Sequence, residues 1–134
     1  MTERDYSATP LPRKLGIREG SRFFVEGPPD AFLATLGPDA VPVPEPCGPL
    51  DVVVLFTASR AQLEARFAEL ARELAPAGGL WVAYPKKASG VPTDLAFQGV
   101  QEIGLAAGLV DNKSCAIDDV WSGVRFVIRL KDRR

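Results

Sequence analysis

The chain has 134 residues, 46% of them apolar and 25% charged, with 16 basic side chains, 17 acidic ones and no histidine. That length suits one domain with one core of ordinary size, and the composition is globular, neither disordered nor membrane-embedded. A net charge of −1 steers the whole molecule toward neither nucleic acid nor an anionic membrane, and the lack of imidazole removes Ser-His-Asp and Cys-His machinery, histidine bases and most zinc sites.

Residues 1–13, MTERDYSATPLPR, are polar and contain Pro10 and Pro12. They read as an extended arm ahead of a single α/β domain over 14–134. No apolar run reaches the roughly 18 residues that a spanning helix needs, and no secretory leader is visible, so a cytoplasmic protein without membrane contact is expected. Arg22-Phe23-Phe24-Val25 forms a short apolar run closed by Gly27-Pro28-Pro29, a buried strand with a hard stop. A short helix follows, with Phe32, Leu33 and Leu36 on one face and Gly37-Pro38 at its end.

Prolines at 38, 42, 44, 46 and 49 leave either an edge strand or no strand at all near Val41–Val43, because proline cannot donate to a sheet ladder. Asp51-Val52-Val53-Val54-Leu55-Phe56 is apolar without alternation, the pattern of a strand covered on both faces. Ser59 opens a helix, with Gln62 three residues on completing a capping box. Leu63, Phe67, Leu70 and Leu74 form its apolar stripe, and Pro76-Ala77-Gly78-Gly79 ends it. Leu80-Trp81-Val82-Ala83-Tyr84 is a second buried strand.

A helix over about 94–107 comes next, weakened by Gly99 and Gly104 at roughly 1 kcal/mol each against alanine. Two strands near 109–117 and 123–131 close the chain. The alternation in the last of them predicts a half-buried antiparallel edge strand, through which a homodimer is conceivable. The order of elements is that of an open, mostly parallel Rossmann-like sheet with helices on both faces and an antiparallel C-terminal strand. Cys47 and Cys115 stand in no metal or redox spacing and read as buried thiols in a reducing compartment.

LDVVVLF, a helix, then LAPAGGLWVAYPK resembles the second half of a class I S-adenosylmethionine-dependent methyltransferase domain. That resemblance implies a glycine-rich cofactor loop after the first strand, where this chain has Val25-Glu26-Gly27-Pro28-Pro29. It also implies a ribose-binding carboxylate after a second strand, for which Glu45 is the nearest candidate. The stretches LGIREGSRFFV, WVAYPKKASGVPTDL and GLVDNKSCAIDDVWSG more closely resemble a family of small bacterial proteins, domain of unknown function family 3052. They span about residues 5–130, and that resemblance implies fold and boundaries but no activity.

Pro85-Lys86-Lys87-Ala88-Ser89-Gly90 lies at the carboxyl end of a central strand, the edge along which open α/β sheets bind ligands. Lys86, Lys87, Ser89 and Gly90, with Thr93 and Asp94 at the next helix start, would suit a small anion. The competing reading is a solvated loop, with Asp94 capping that helix. Gly27 and Asp30 occupy the cofactor-loop position or form a plain turn. Asp118, beside Asp119, is a carboxylate for a cation or a turn residue, and Trp121 is a core cover or an interface anchor. Arg125, Arg129, Lys131, Arg133 and Arg134 lack the interleaved aromatics of a nucleic-acid surface.

These features predict a non-catalytic methyltransferase-like binding module for a small anionic ligand or a protein partner, with no metal and no cofactor. The alternatives are a small S-adenosylmethionine-dependent methyltransferase with an atypical cofactor loop, and a structural or regulatory interaction protein without ligand.

Overall fold

Apolar residues on both faces of a strand have to be covered on both sides, and the centre of the molecule follows from that requirement. The structure, a computed structural model, describes residues 9–133. Strand β1 (Phe23–Glu26), β2 (Leu50–Phe56) and β3 (Leu74–Pro85) run parallel, and β4 (Leu109–Ala116) and β5 (Trp121–Ile128) complete a sheet of order β1-β2-β3-β5-β4. β5 is antiparallel to both of its neighbours. The helices are α1 (Leu11–Leu15), α2 (Arg60–Ala71) and α3 (Phe97–Ala106). Among the described residues no helix is long and apolar enough to cross a membrane.

One core lies between the sheet and helices α2 and α3, built from Val53, Leu55, Leu80 and Val82 of the sheet with Leu63, Phe67, Leu70, Val100 and Ile103. The other lies on the opposite face, where Leu15, Ile17, Phe32 and Leu36 cover Val52, Val54, Phe56 and Trp81. Trp81 is 1% exposed, and its indole N–H donates to the Leu15 carbonyl at 2.9 Å. That bond satisfies two buried polar groups together and ties α1 to the sheet. α1 therefore starts within the expected arm: residues 1–8 of that arm lie outside the described residues, while Leu11–Arg13 are helical rather than extended.

Several boundaries differ from the expectation. α2 stops at Ala71, and β3 starts already at Leu74. Leu74 and Pro76-Ala77-Gly78-Gly79 thus belong to a strand, since Leu74 pairs with Leu50 and Gly79 with Val52. Phe32 and Leu36 are buried around a 3-10 turn at Leu33–Leu36, but Leu33 points outward, 39% exposed. At Val41–Val43 the second of the two expected outcomes holds: no strand forms, and the Val43 N–H donates to the Phe23 carbonyl of β1 at 2.8 Å. β5 is not an edge. It sits between β3 and β4, so the sheet offers a partner β4 or β1 but not the last strand. Cys47 is exposed and Cys115 half-buried, correcting the pair of buried thiols.

The two α3 glycines have different reasons. A Cβ on Gly104 would lie 2.1 Å from the Phe126 ring, which packs edge-to-face on Phe67 at a centroid distance of 5.2 Å. A Cβ on Gly99 would meet only the Arg60 guanidinium, at 2.7 Å, the far end of a long exposed side chain paired with Glu64 and Glu102 that can shift aside. Gly99→Ala is therefore expected to stabilise the protein by about 0.5–1 kcal/mol through helix propensity. Gly104→Ala should instead destabilise it by about 1–2 kcal/mol net, since overpacking exceeds the propensity gain. Urea denaturation of the two variants checks the opposite signs.

Candidate functional site

The carboxyl ends of β1, β2 and β3 converge on one edge, which is where the sequence placed its candidates. Lys86 leaves β3 with its backbone N–H on the Val120 carbonyl at 2.7 Å. A single 3-10 turn, Lys87–Ser89, follows, and Gly90 closes it with φ 79°. The Ser89 hydroxyl donates to the Lys86 carbonyl at 2.6 Å and accepts the Val91 N–H at 3.1 Å. Ser89 thus folds its own loop. Lys86 is half-buried and Lys87 exposed, and neither ammonium takes part in the ion pairs found among the described residues.

Thr93 and Asp94 do not open the helix that follows them. α3 begins at Phe97, with Ala96 at its N-cap. The Thr93 hydroxyl donates to the Ala58 carbonyl at 2.6 Å and accepts the Leu95 N–H at 3.0 Å. Asp94 Oδ1 accepts the Arg60 N–H at 2.8 Å, so it satisfies the first turn of α2, a helix 34 residues earlier in the chain. Ser59 caps the same helix as expected, its Oγ accepting the Gln62 N–H at 3.2 Å. The reciprocal half of the capping box is missing. The Ser59 N–H goes to Thr57 Oγ1 at 3.1 Å, and Gln62 accepts from the Thr57 hydroxyl at 2.5 Å. The loop beyond β3 is thereby bolted to the β2–α2 connection.

Across the same edge, the loop after β1 folds down onto the end of β2. Gly27 has φ 68°, and a Cβ there would lie 3.0 Å from the Phe56 carbonyl. Phe32 packs edge-to-face on Phe56 at a centroid distance of 4.7 Å, and Trp121 does the same from the other side at 5.1 Å. A cavity of about 100 Å³, lined by Pro29, Phe32, Ile117 and Asp118 among others, is what remains beside them. That is below the several hundred Å³ of a small-molecule pocket. Glu26, at the end of β1, receives two hydrogen bonds from Arg66 of α2, at 2.8 and 2.7 Å. Those bonds, ahead of the opposing desolvation, raise the Arg66 pKa above its ordinary value.

Of the remaining candidates, Asp30 is exposed. Asp118 Oδ1 accepts the N–H groups of Val120 and Trp121, both at 2.8 Å, which shapes the β4–β5 turn. Trp121 is half-buried against the core. Glu45 is exposed in the proline-rich segment, with no strand beyond β1 for it to follow. The edge thus assembles the sequence candidates, but with most of their polar atoms already engaged.

Sequence reasoning passed over a second group of side chains at the opposite end of the sheet. Arg13 and Lys14 of α1, Arg18, Lys113 of β4 and Arg125 of β5 line a cleft of about 470 Å³ at the amino ends of β2 and β3. The overlooked signal was Gly78-Gly79, a bare patch of strand beside an arginine-bearing one.

The architecture is that of the Rossmann-like methyltransferases. The chain is similar to fibrillarin from Aeropyrum pernix, solved with natively bound S-adenosyl-L-methionine: 14% identity, 88% of this chain, 68% of that one, TM-score 0.58. It is also similar to an O-methyltransferase from neocarzinostatin biosynthesis, solved with S-adenosylmethionine and 2-hydroxy-5-methyl naphthoic acid: 20% identity, 89% and 45% coverage, TM-score 0.57. A third likeness is to mitomycin 7-O-methyltransferase: 12% identity, 86% and 44% coverage, TM-score 0.57. The chain spans about half or less of the length of most of the solved chains it matches. No family model matches it, and no curated protein does.

Because Asp94 serves α2, Asp94→Ala is expected to lower stability by about 1 kcal/mol, the usual cost of a lost helix-end acceptor. The double variant Lys86→Ala, Lys87→Ala should stay within about 0.5 kcal/mol of the parent, as surface substitutions do. Chemical denaturation of both variants makes the comparison.

Proposed function

We propose that this protein is a non-catalytic, methyltransferase-like binding module for a small anionic ligand, and that it belongs with the small bacterial proteins of domain of unknown function family 3052. The observation that carries the first part is the filled edge: Phe32, Phe56 and Trp121 occupy the carboxyl ends of β1 and β2. A nucleoside cofactor in this fold class lies across that edge, in a crevice where the strand order reverses. Here β1, β2 and β3 succeed one another in chain order, so no reversal opens a crevice between β1 and β2. The loop after β1 carries one glycine, pressed onto the Phe56 carbonyl. The carboxylate at the end of β1 is held by Arg66. The residues present therefore do not fit S-adenosylmethionine.

Lys86 and Lys87 are the groups on this edge with charge to offer an anionic ligand. The sequence holds no histidine to move a proton beside them. The alternative, a methyltransferase with an atypical loop, draws on the bound cofactor of the fold's relatives and would need Phe32 to swing off Phe56.

Calorimetry with S-adenosylmethionine and S-adenosylhomocysteine decides between the two. No heat of binding at about 1 mM ligand, which corresponds to affinity weaker than roughly −4 kcal/mol, is the expected result. Saturable binding in the micromolar range would overturn the non-catalytic reading.

A further inference from the structure

Arg125 is the least conventional side chain in the molecule. It projects from a strand paired on both sides, opposite Trp81 on β3 and Lys113 on β4. Its guanidinium lies flat over Gly79: a Cβ there would come within 2.3 Å of Nε and 2.8 Å of Nη2. The glycine is what lets the planar group reach back along β3 toward the amino ends of the strands. Its one side-chain hydrogen bond among the described residues is a 3.3 Å contact from Nη1 to the side-chain Oδ1 of Asn112. No carboxylate there is paired with it. Burial, and then repulsion from Arg133, push its pKa below the ordinary arginine value, the signature of a cation short of a counter-charge.

The surroundings add to that shortage. Arg13, Lys14, Arg18 and Lys113 share the cleft, which holds about 470 Å³ and has Asp51 as its single acidic lining residue among the described residues. Asp51 Oδ2 accepts the Arg22 N–H at 2.9 Å, so part of that carboxylate is already engaged. Lys14 and Lys113 also both act on the half-buried Cys115, each favouring its thiolate against the upward push of burial. The cations therefore converge from α1, β4 and β5 rather than lying scattered on the surface. Five like charges around one concavity repel one another unless an anion sits among them. The planar, always-charged guanidinium is shaped to grip a phosphate through two hydrogen bonds, with ammonium groups as flexible neighbours.

We propose that this cleft, between α1 and the amino ends of β2 and β3, binds a phosphate-bearing small molecule, with Arg125 as the central contact and Lys113, Lys14 and Arg13 around it. The inference rests on the anion-binding part of the function proposed above and adds to the Lys86 and Lys87 edge a second, enclosed anion site at the other end of the sheet. The volume suits a ligand of nucleotide or sugar-phosphate size. A nucleic acid is disfavoured because the chain has a net charge of −1 and no aromatic side chain on which a base could stack lines the cleft among the described residues.

The test uses the full-length protein at fixed ionic strength, titrated with inorganic phosphate, pyrophosphate and tripolyphosphate and followed by thermal shift and calorimetry. Saturable stabilisation is expected, stronger for pyrophosphate than for phosphate. Arg125→Gln and the exposed-site variant Lys113→Ala should each weaken it by about tenfold or more, as for loss of a charged hydrogen bond. Lys131→Ala, at an exposed cation that does not line the cleft, should leave it unchanged. No saturable response up to about 10 mM, or an undiminished response in both cleft variants, would overturn the assignment. So would a response abolished by the Lys86→Ala, Lys87→Ala double variant alone, or binding confined to a single-stranded RNA oligonucleotide. Binding of S-adenosylmethionine would defeat the non-catalytic reading while leaving the cleft standing, so the two failures are distinguishable.

Discussion

The indole N–H of Trp81 bonded to the Leu15 carbonyl is the contact on which one whole side of the molecule depends. A five-residue helix has almost no stability of its own, so α1 exists because tertiary contacts hold it. The bond fixes α1 against the centre of the sheet, and Leu15 and Ile17 then seal the second core. The same placement carries Arg13 and Lys14 to the amino ends of β2 and β3. One buried hydrogen bond thus sets both the closure of a hydrophobic face and the electrostatic character of the cleft beside it.

The two ends of the parallel strands have opposite properties. At the carboxyl end, aromatic packing and hydrogen-bonded loops leave little room, and the cations there, Lys86 and Lys87, stand on a self-braced turn. At the amino end, a bare glycine strip, a short helix and two strands frame a concavity rich in positive charge. The solved methyltransferases that this chain resembles share its fold, with this chain corresponding to a part of their length. What the shared sheet supplies is a scaffold; the chemistry at each end is decided by side chains that such a likeness does not carry over.

The centre of the fold was legible because β2 and β3 are buried on both faces, which leaves unbroken apolar runs in the sequence. The edges were less legible, for identifiable reasons. Arg125 and Arg129 made β5 look like a half-wetted edge, but Arg125 faces the charged cleft and Val127 on the same side is buried. Thr93 and Asp94 carry the letters of a helix start, but Asp94 accepts the Arg60 N–H of α2 and the Thr93 hydroxyl donates to the Ala58 carbonyl ahead of that helix, and neither caps α3. That choice is made by three-dimensional proximity, to which local pattern is blind. The candidate residues of the carboxyl edge were assembled as the strand order implied. Their hydrogen-bond partners, which decide how much of each side chain a ligand could use, could not be read from spacing. The cleft at the other end draws on residues 13–125, too dispersed to form a motif.

The proline-rich segment along β1 has a consequence for how copies of this protein behave toward one another. A free strand edge is a template on which another chain can add by hydrogen bonding, and from there aggregates grow. Along β1 the neighbouring residues at 42, 44 and 46 have no N–H to offer, and Val43 spends its own on Phe23. The far edge, β4, is protected by different means: Asp111, Asn112, Lys113 and Ser114 run along it, and docking a second strand there would strip water from charged groups. Each open side of the sheet thereby sets its own obstacle to an added strand, missing donors on one and the cost of dehydration on the other.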